Sequence, residues 1–281
     1  MTARKEKTGW LLLVVIMALV TGWALPAIAL AETVIKVGGT GSALGTMKQI
    51  ANLYQKSHPG IKIQILPSLG STAGISAAIG GSIDLALASR PLTEDERQPG
   101  VVETPYARSP LIFIANAKVN KKDVSLRELE RIYSSPAANW PNAHRIRLIL
   151  RPEKDIDTQM IRGLSPGMDQ AMKAALERAG MILAITDQEA TDAVIRTPGA
   201  LGWATLSEIT SENRPVTILS LNGVQPSVKT IANNSYPLAK SFYLVLTPRS
   251  PAKARRFAEF VRSPASRRIL TRTGNIVIDA K

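Results

Sequence analysis

Apolar and polar positions alternate between two periods along most of this chain, and that alternation is the first clue to its architecture. An apolar run at Val34–Val37 leads into a Gly/Thr/Ser turn at Gly38–Ser42. Leu44, Met47, Ala51 and Tyr54 then recur at helical spacing. The pattern repeats at once: an apolar run at Ile61–Leu66, a turn at Gly70-Ser71-Thr72, and a second helix. Ile83–Ala88 reads as a short buried strand and Pro110–Asn116 as a longer one. Ser125-x-x-Glu128 and Thr186-x-x-Glu189 are capping boxes, opening helices that run to Tyr133 and to about Ile195. Between them lie a strand at Arg145–Leu150 and a helix at Asp169–Ala179 stopped by Gly180. Ala200–Ala204, Pro215–Leu221 and Phe242–Leu246 return to strand patterns. A last helix begins at Ser250-Pro251 and buries Phe257, Phe260 and Val261. Alternating strands and helices predict an α/β fold with a largely parallel sheet. Connections near Asn116 and near Glu212 divide it into two lobes, with a ligand cleft between them. Lobe one comprises residues 32–116 plus 213–281, and lobe two residues 117–212.

The segment before Glu32 changes the picture of where this protein works. Arg4, Lys5 and Lys7 precede an unbroken apolar run at Trp10–Val20, and Ala29-Leu30-Ala31 forms a small-residue cleavage pattern. Residues 1–31 therefore read as a signal peptide cleaved after Ala31, with an uncleaved anchor as the alternative. No cysteine is present, which excludes disulfides, thiolate metal sites and a lipid-modified N-terminal cysteine. An exported protein without an anchor is expected in a Gram-negative periplasm, with secretion from a single-membrane cell as the alternative. Cleavage lowers the formal charge from +13 to +11, because three basic residues and one acidic residue leave. A basic protein attracts nucleic acid, membrane or small anions, and the scattered basic residues and few aromatics make nucleic acid the weakest of these. The dense basic stretch Arg255–Arg272 reads as a solvated helix face.

The two early turns carry the candidate chemistry. Each places free backbone N–H groups and hydroxyls at the positive end of a helix, an arrangement that holds an anion without a formal charge. Arg90 and Arg151 each follow an apolar strand and precede a proline, so both sit at strand ends, where α/β ligand clefts lie. For Arg90, a surface ion pair with Glu94 or Asp95 is an equal alternative. The planar guanidinium fork suits a tetrahedral oxyanion. Gly39-Thr-Gly41-Ser-Ala-Leu-Gly45 misses a dinucleotide fingerprint by one residue. His58 and His144, the two histidines, fall in a turn and a polar loop, and no catalytic triad or metal motif accompanies them. The chain is therefore expected to bind rather than to catalyse, and to need no cofactor.

In the order and spacing of several motifs the chain resembles the periplasmic phosphate-binding proteins of ABC importers, within the type 2 solute-binding proteins. The motifs are Gly70–Ile75, Ile83-Asp84 through Ser89-Arg90-Pro91-Leu92, Asn139-Trp140, and Gly199-Ala200-Leu201-Gly202-Trp203. Leu221–Ser227 with Tyr236-Pro237-Leu238, and Phe260–Pro264 followed by Gly274, complete the set. The resemblance spans nearly all of the mature chain. It implies a monomer that delivers a small oxyanion, phosphate first, to an ABC permease in the inner membrane. Sulfate, molybdate, tungstate or a phosphonate is the alternative cargo, and anion sensing without transport the alternative role.

The resemblance also implies site residues: Thr40, Gly41 and Ser42 in the first anion loop, Ser71 and Thr72 in the second, and Ser89 with Arg90 at the cleft. In lobe two it implies Arg151, Asp157 and Thr158. There the family's Gly-Ser-Gly-Thr turn is altered, with Ile156 and Asp157 replacing a serine and a glycine and one residue of extra spacing. A carboxylate beside a dianion is repulsive by ~1–4 kcal/mol at contact distance. Three arrangements resolve this. Asp157 points away and pairs with an arginine, or it accepts a hydrogen bond from a P–OH, or the ligand is not phosphate. The second is the expectation adopted, and it predicts that Asp157→Asn changes the phosphate/sulfate ratio.

Overall fold

The computed structural model describes residues 32–141 and 145–278. The expected signal peptide and its cleavage point, and His144, lie outside the described residues. In the described part, strands β1 (Thr33–Gly39), β2 (Ile61–Ile65) and β3 (Leu85–Ala88) alternate with helices α1 (Gly41–Ser57) and α2 (Gly70–Gly80). A long strand β4 (Val102–Asn116) follows, then β5 (Asp123–Val124), α3 (Leu126–Ser134) and β6 (Arg147–Leu150). Next come α4 (Ile156–Arg162), α5 (Pro166–Glu177), β7 (Ile182–Leu183), α6 (Asp187–Arg196), β8 (Ala200–Thr205) and α7 (Leu206–Ser211). The chain ends with β9 (Val216–Ile218), β10 (Ser220–Leu221), α8 (Val228–Ala232), β11 (Ala239–Leu246), α9 (Ala252–Val261), α10 (Pro264–Arg272) and β12 (Ile276–Val277).

The main sheet runs β2-β1-β3-β11-β4-β8-β6-β7, with β9 and β12 also paired to β4. It is mixed rather than largely parallel. β1 pairs in parallel with β2 and β3, and β6 with β7 and β8, but β11 and β4 run against their neighbours. The two parallel groups are the βαβ halves, and the antiparallel strands are the chain's passages between them.

β4 makes the passage. Its first half pairs with β11, whereas from Leu111 onward it pairs with β8 and then β9. Its polar start, Val102–Ser109, hid the strand's true length; the sequence pattern shows only Pro110–Asn116. In the second half alternate residues feed two cores. Leu111, Phe113 and Ala115 pack toward Trp140, Met172 and Trp203, while Ile112 and Ile114 pack toward Val194 and Ala190. In the first half of the molecule Leu85 and Leu87 face α1, α9 and α10, and Ala86 and Ala88 face α2. Strands buried on both faces read as continuous apolar runs, as these do.

The sheet changes partners along β4, and the chain returns along β11. The partner change in β4 comes at Leu111. Leu219, Leu221, Ile231, Tyr236 and Leu238 join the core of the second half, so the return to the first half is made by β11. The reason is apolar: this segment's large side chains complete the cluster around Phe113. At the C-terminal end Pro251 is the N-cap of α9 rather than its first residue, and Ser250 instead accepts a hydrogen bond from Thr247 N.

Gly39 lets β1 lie close against β3, and Gly74 lets α2 lie close against β1. Gly39 has φ +138°, and a Cβ there would sit 2.0 Å from the Leu87 carbonyl oxygen. A Cβ on Gly74 would meet the Gly39 Cα at 2.6 Å. Neither neighbour is a flexible side chain. Gly74→Ala is expected to cost about 1–3 kcal/mol, read as a lowered urea midpoint with an unchanged m-value.

Candidate functional site

The loops at the carboxyl ends of β1, β3 and β6 meet the head of α2 and strand β11 around a cavity of about 120 Å³. Thr40, Ser71, Thr72, Ser89, Arg90 and Arg151 line it, together with Lys154, Asp155, Ile156, Asp187 and Lys240. Six of the ten residues expected at the site therefore share one crevice, contributed from both halves of the sheet. Gly41, Ser42, Asp157 and Thr158 do not line it.

α2 enters the cavity with its first turn. It has no capping side chain, so the amides of Gly70, Ser71 and Thr72 begin the helix without one. Hydroxyls are added around them. Ser71 Oγ accepts from Ser89 N at 2.9 Å and lies 3.0 Å from Ser89 Oγ. Thr72 Oγ1 accepts from Arg90 Nη2 at 3.0 Å. Arg90 is also committed elsewhere: both η nitrogens grip Glu96, at 2.6 and 2.7 Å. Its partner is Glu96, not Glu94 or Asp95, because the 3-10 turn at Glu94–Glu96 carries Glu96 back toward Thr93 N. The Arg90 guanidinium holds the Glu96 carboxyl down at about 2.

Arg151 extends from the end of β6 and is 4% exposed. Its Nη2 donates to Asp155 Oδ2 at 2.6 Å, Nη1 lies 3.5 Å from Asp187 Oδ1, and its buried Nε has no hydrogen-bond partner among the described residues. Asp155, not Asp157, faces the cavity. It caps α4 by accepting from Asp157 N at 3.0 Å, which turns Asp157 inward. Thr158 is buried too, its hydroxyl directed to Arg151 O at 3.4 Å. The extra residue in this turn is thus absorbed as a local N-cap.

Asp157 does not stand where it would meet a P–OH, nor does it pair with an arginine. Its carboxylate lies 2.7 Å from Lys240 Nζ, an ion pair that crosses from α4 to β11. Burial pushes Asp157 up to about 6, against the lowering pull of Lys240. Lys240 is 2% exposed. Its Nζ also donates to Ser42 Oγ at 2.9 Å and lies 3.5 Å from Asp187 Oδ1. Burial opposes its charge, but Asp157 and Asp187 outweigh that and hold the ammonium above its ordinary range.

Ser42 is fully buried and gives its amide and hydroxyl to Asp187, at 3.1 and 2.8 Å. Asp187 and Lys240 are central here, and the sequence reading missed both. A signal for each existed. Asp187 shares the buried stripe of α6 with Ala190, Thr191 and Val194. Lys240 alternates in register with Phe242 and Leu244, the buried face of β11. A charged residue on an apolar face is the pattern to seek.

Behind the cavity, Glu208 of α7 is buried, and its Oε1 accepts from Thr191 Oγ1 at 2.6 Å. Burial, reinforced by the charge of Asp187, pushes its pKa from 4.5 up to about 8. Between those values the folded state holds a proton that the unfolded chain releases. Glu208 therefore lowers stability progressively as pH rises through that window, by at most about 1.4 kcal/mol per pH unit. Glu208→Gln is expected to abolish this decline, so its stability relative to the unmodified protein rises between pH 5 and pH 8 in urea titrations.

Comparison with known proteins places this architecture. The model of the PBP superfamily domain matches residues 27–265. The chain belongs to the PBP superfamily. Its PBP fold is two-lobed α/β, as expected. The phosphate-binding protein PstS of Borreliella burgdorferi is 24% identical over 253 residues, covering 86% of this chain and 89% of that protein. PstS of Bacillus subtilis is 23% identical, covering 82% and 75%. A Clostridium perfringens structure, described as a phosphate ABC transporter substrate-binding protein with bound phosphate, superposes with TM-score 0.73 at 20% identity. It covers 88% of this chain and 100% of that one. At that identity the superposition speaks for the PBP fold.

Proposed function

We propose that this PBP-superfamily protein captures a small tetrahedral oxyanion, phosphate first, and hands it to an ABC permease. The observation that carries this reading is the uncapped head of α2, which opens with Ser71, Thr72 and Ser89 onto the same small cavity as Arg151. A helix N-terminus with hydroxyls and a guanidinium opposite supplies many donors to one anion and few groups for turnover. Arg151 Nε, without a hydrogen-bond partner among the described residues, is an unspent donor in that arrangement. At about 120 Å³ the cavity is far smaller than the ~300–1,000 Å³ of sites for drug-sized molecules, in keeping with an inorganic ion. The naming of both PstS relatives as phosphate-binding proteins supports the same cargo. Export by residues 1–31, release into a periplasm and action as a monomer complete the proposal.

A thermal-shift and calorimetric screen against phosphate, sulfate, molybdate, tungstate and methylphosphonate tests it. Phosphate is expected to raise Tm, since a ligand at 100 times its Kd adds about 2.7 kcal/mol to stability. A shift with molybdate or sulfate but not phosphate overturns the cargo. No shift with any of them overturns the site.

A further inference from the structure

Four of the described helices turn their N-termini toward this cleft, and they are finished differently: α6, which begins with Asp187, is capped locally by Thr186. α4 is capped locally by Asp155. α2 has no capping side chain. α1 has no side-chain cap of its own either, because Thr40 makes no capping hydrogen bond. Its head is instead closed from the other half of the molecule. Ser42 donates its amide to Asp187 Oδ2 and its hydroxyl to Asp187 Oδ1, 145 residues away in sequence. Gln188 Nε2 donates to Gly41 O at 2.9 Å, and a Cβ on Gly41 would lie 2.1 Å from Gln188 Oε1 and 2.8 Å from Asp187 Oδ2. Lys240 and Arg151 converge on the same carboxylate at 3.5 Å each. A group with two anionic oxygens, two helix-head donors and two flanking cations stands there as a bound oxyanion would stand.

We propose that Asp187 is a resident anion that seals the head of α1 and thereby determines specificity, leaving a solute one open helix head, that of α2. The solute then shares Arg151 and Lys240 with Asp187. The first anion turn, Thr40-Gly41-Ser42, closes the two halves on each other instead of contacting the cargo through Ser42. The seal also explains why Ser42 is fully buried while Ser71 and Thr72 line the cavity. The part that concerns the solute rests on the oxyanion reading; the sealing of α1 does not.

Backbone amide NMR separates the two. In the ligand-free protein the Ser42 amide is expected to exchange at least tenfold more slowly than that of Thr72. Inorganic phosphate is expected to shift the amides of Gly70, Ser71 and Thr72 and to leave Ser42 in place. In Asp187→Ala the Ser42 protection is expected to fall at least tenfold, and added formate to restore it in a saturable way by taking the vacated position. Asp187→Asn keeps the packing and serves if the alanine variant does not fold; its Ser42 protection is expected to fall at least threefold. Phosphate that shifts Ser42 as strongly as Thr72 in the unmodified protein, or Ser42 protection that survives these substitutions, overturns the proposal. If phosphate moves no amide while the variants behave as described, the oxyanion reading fails and the resident anion stands.

Discussion

Lys240→Met is expected to destabilise the protein by about 3–5 kcal/mol, the largest effect of any single substitution in this cleft. The ammonium is buried, 2.7 Å from Asp157, 2.9 Å from Ser42 Oγ and 3.5 Å from Asp187. Removing it leaves two buried carboxylates facing one another with Arg151 as the remaining nearby cation. The cost arises from those stranded charges rather than from the value of the pair itself. Two consequences follow and both are measurable in urea titrations. Asp157, already pushed up to about 6 with Lys240 present, rises further without it. A carboxyl whose folded pKa is raised loses stability as pH climbs from its unfolded value through the folded one, so the variant's deficit is larger at pH 8 than at pH 5. The double variant Lys240→Met/Asp157→Asn is expected to recover more than half of the loss, with a coupling energy above 1 kcal/mol. A single-variant loss below 1 kcal/mol would show that the cluster does not hold the halves together.

Arg151→Lys is expected to weaken phosphate binding at least 100-fold, about 2.7 kcal/mol by calorimetry. Arg151 spends one nitrogen on Asp155 and another near Asp187, while Nε has no partner among the described residues. A lysine ammonium is a point charge without the planar fork. It pairs with one of the carboxylates and leaves the solute without its guanidinium. The substitution keeps the charge, so a loss in affinity with little change in Tm isolates the geometry from the electrostatics. Affinity within threefold of the unmodified protein would remove Arg151 from the binding set.

Much of this architecture was legible in the residue pattern, for local reasons. The turns at Gly38–Ser42 and Gly70-Ser71-Thr72 were marked by small polar residues between strand and helix periods; the Ser/Thr-x-x-Glu patterns at Ser125 and Thr186 announced α3 and α6, the first formed as a simple N-cap and the second as a full capping box. What misled was also local. The first half of β4 is polar enough to pass for a loop, and α10 follows α9 with only a Ser-Pro start to separate them. At the site, a hydroxyl at a helix head looks the same whether its partner is a solute or a carboxylate far along the chain. Ser42 and Ser71 occupy the second position of α1 and of α2 in turn, yet one is sealed by Asp187 and the other opens on the cavity.

Short-range order therefore set the menu: strand, small polar turn, helix, twice over, with arginines at strand ends and an export-like leader in front. Those follow from spacing, caps and apolar periodicity, which act within a few residues. The choice of which helix head stays open was made elsewhere. It depends on Asp187 and Lys240, whose charges are costly to bury alone and become tolerable only when β11, α4 and α6 bring them against Ser42, Asp157 and Arg151. No stretch of chain contains both members of those pairs, so only the closed three-dimensional arrangement decides them.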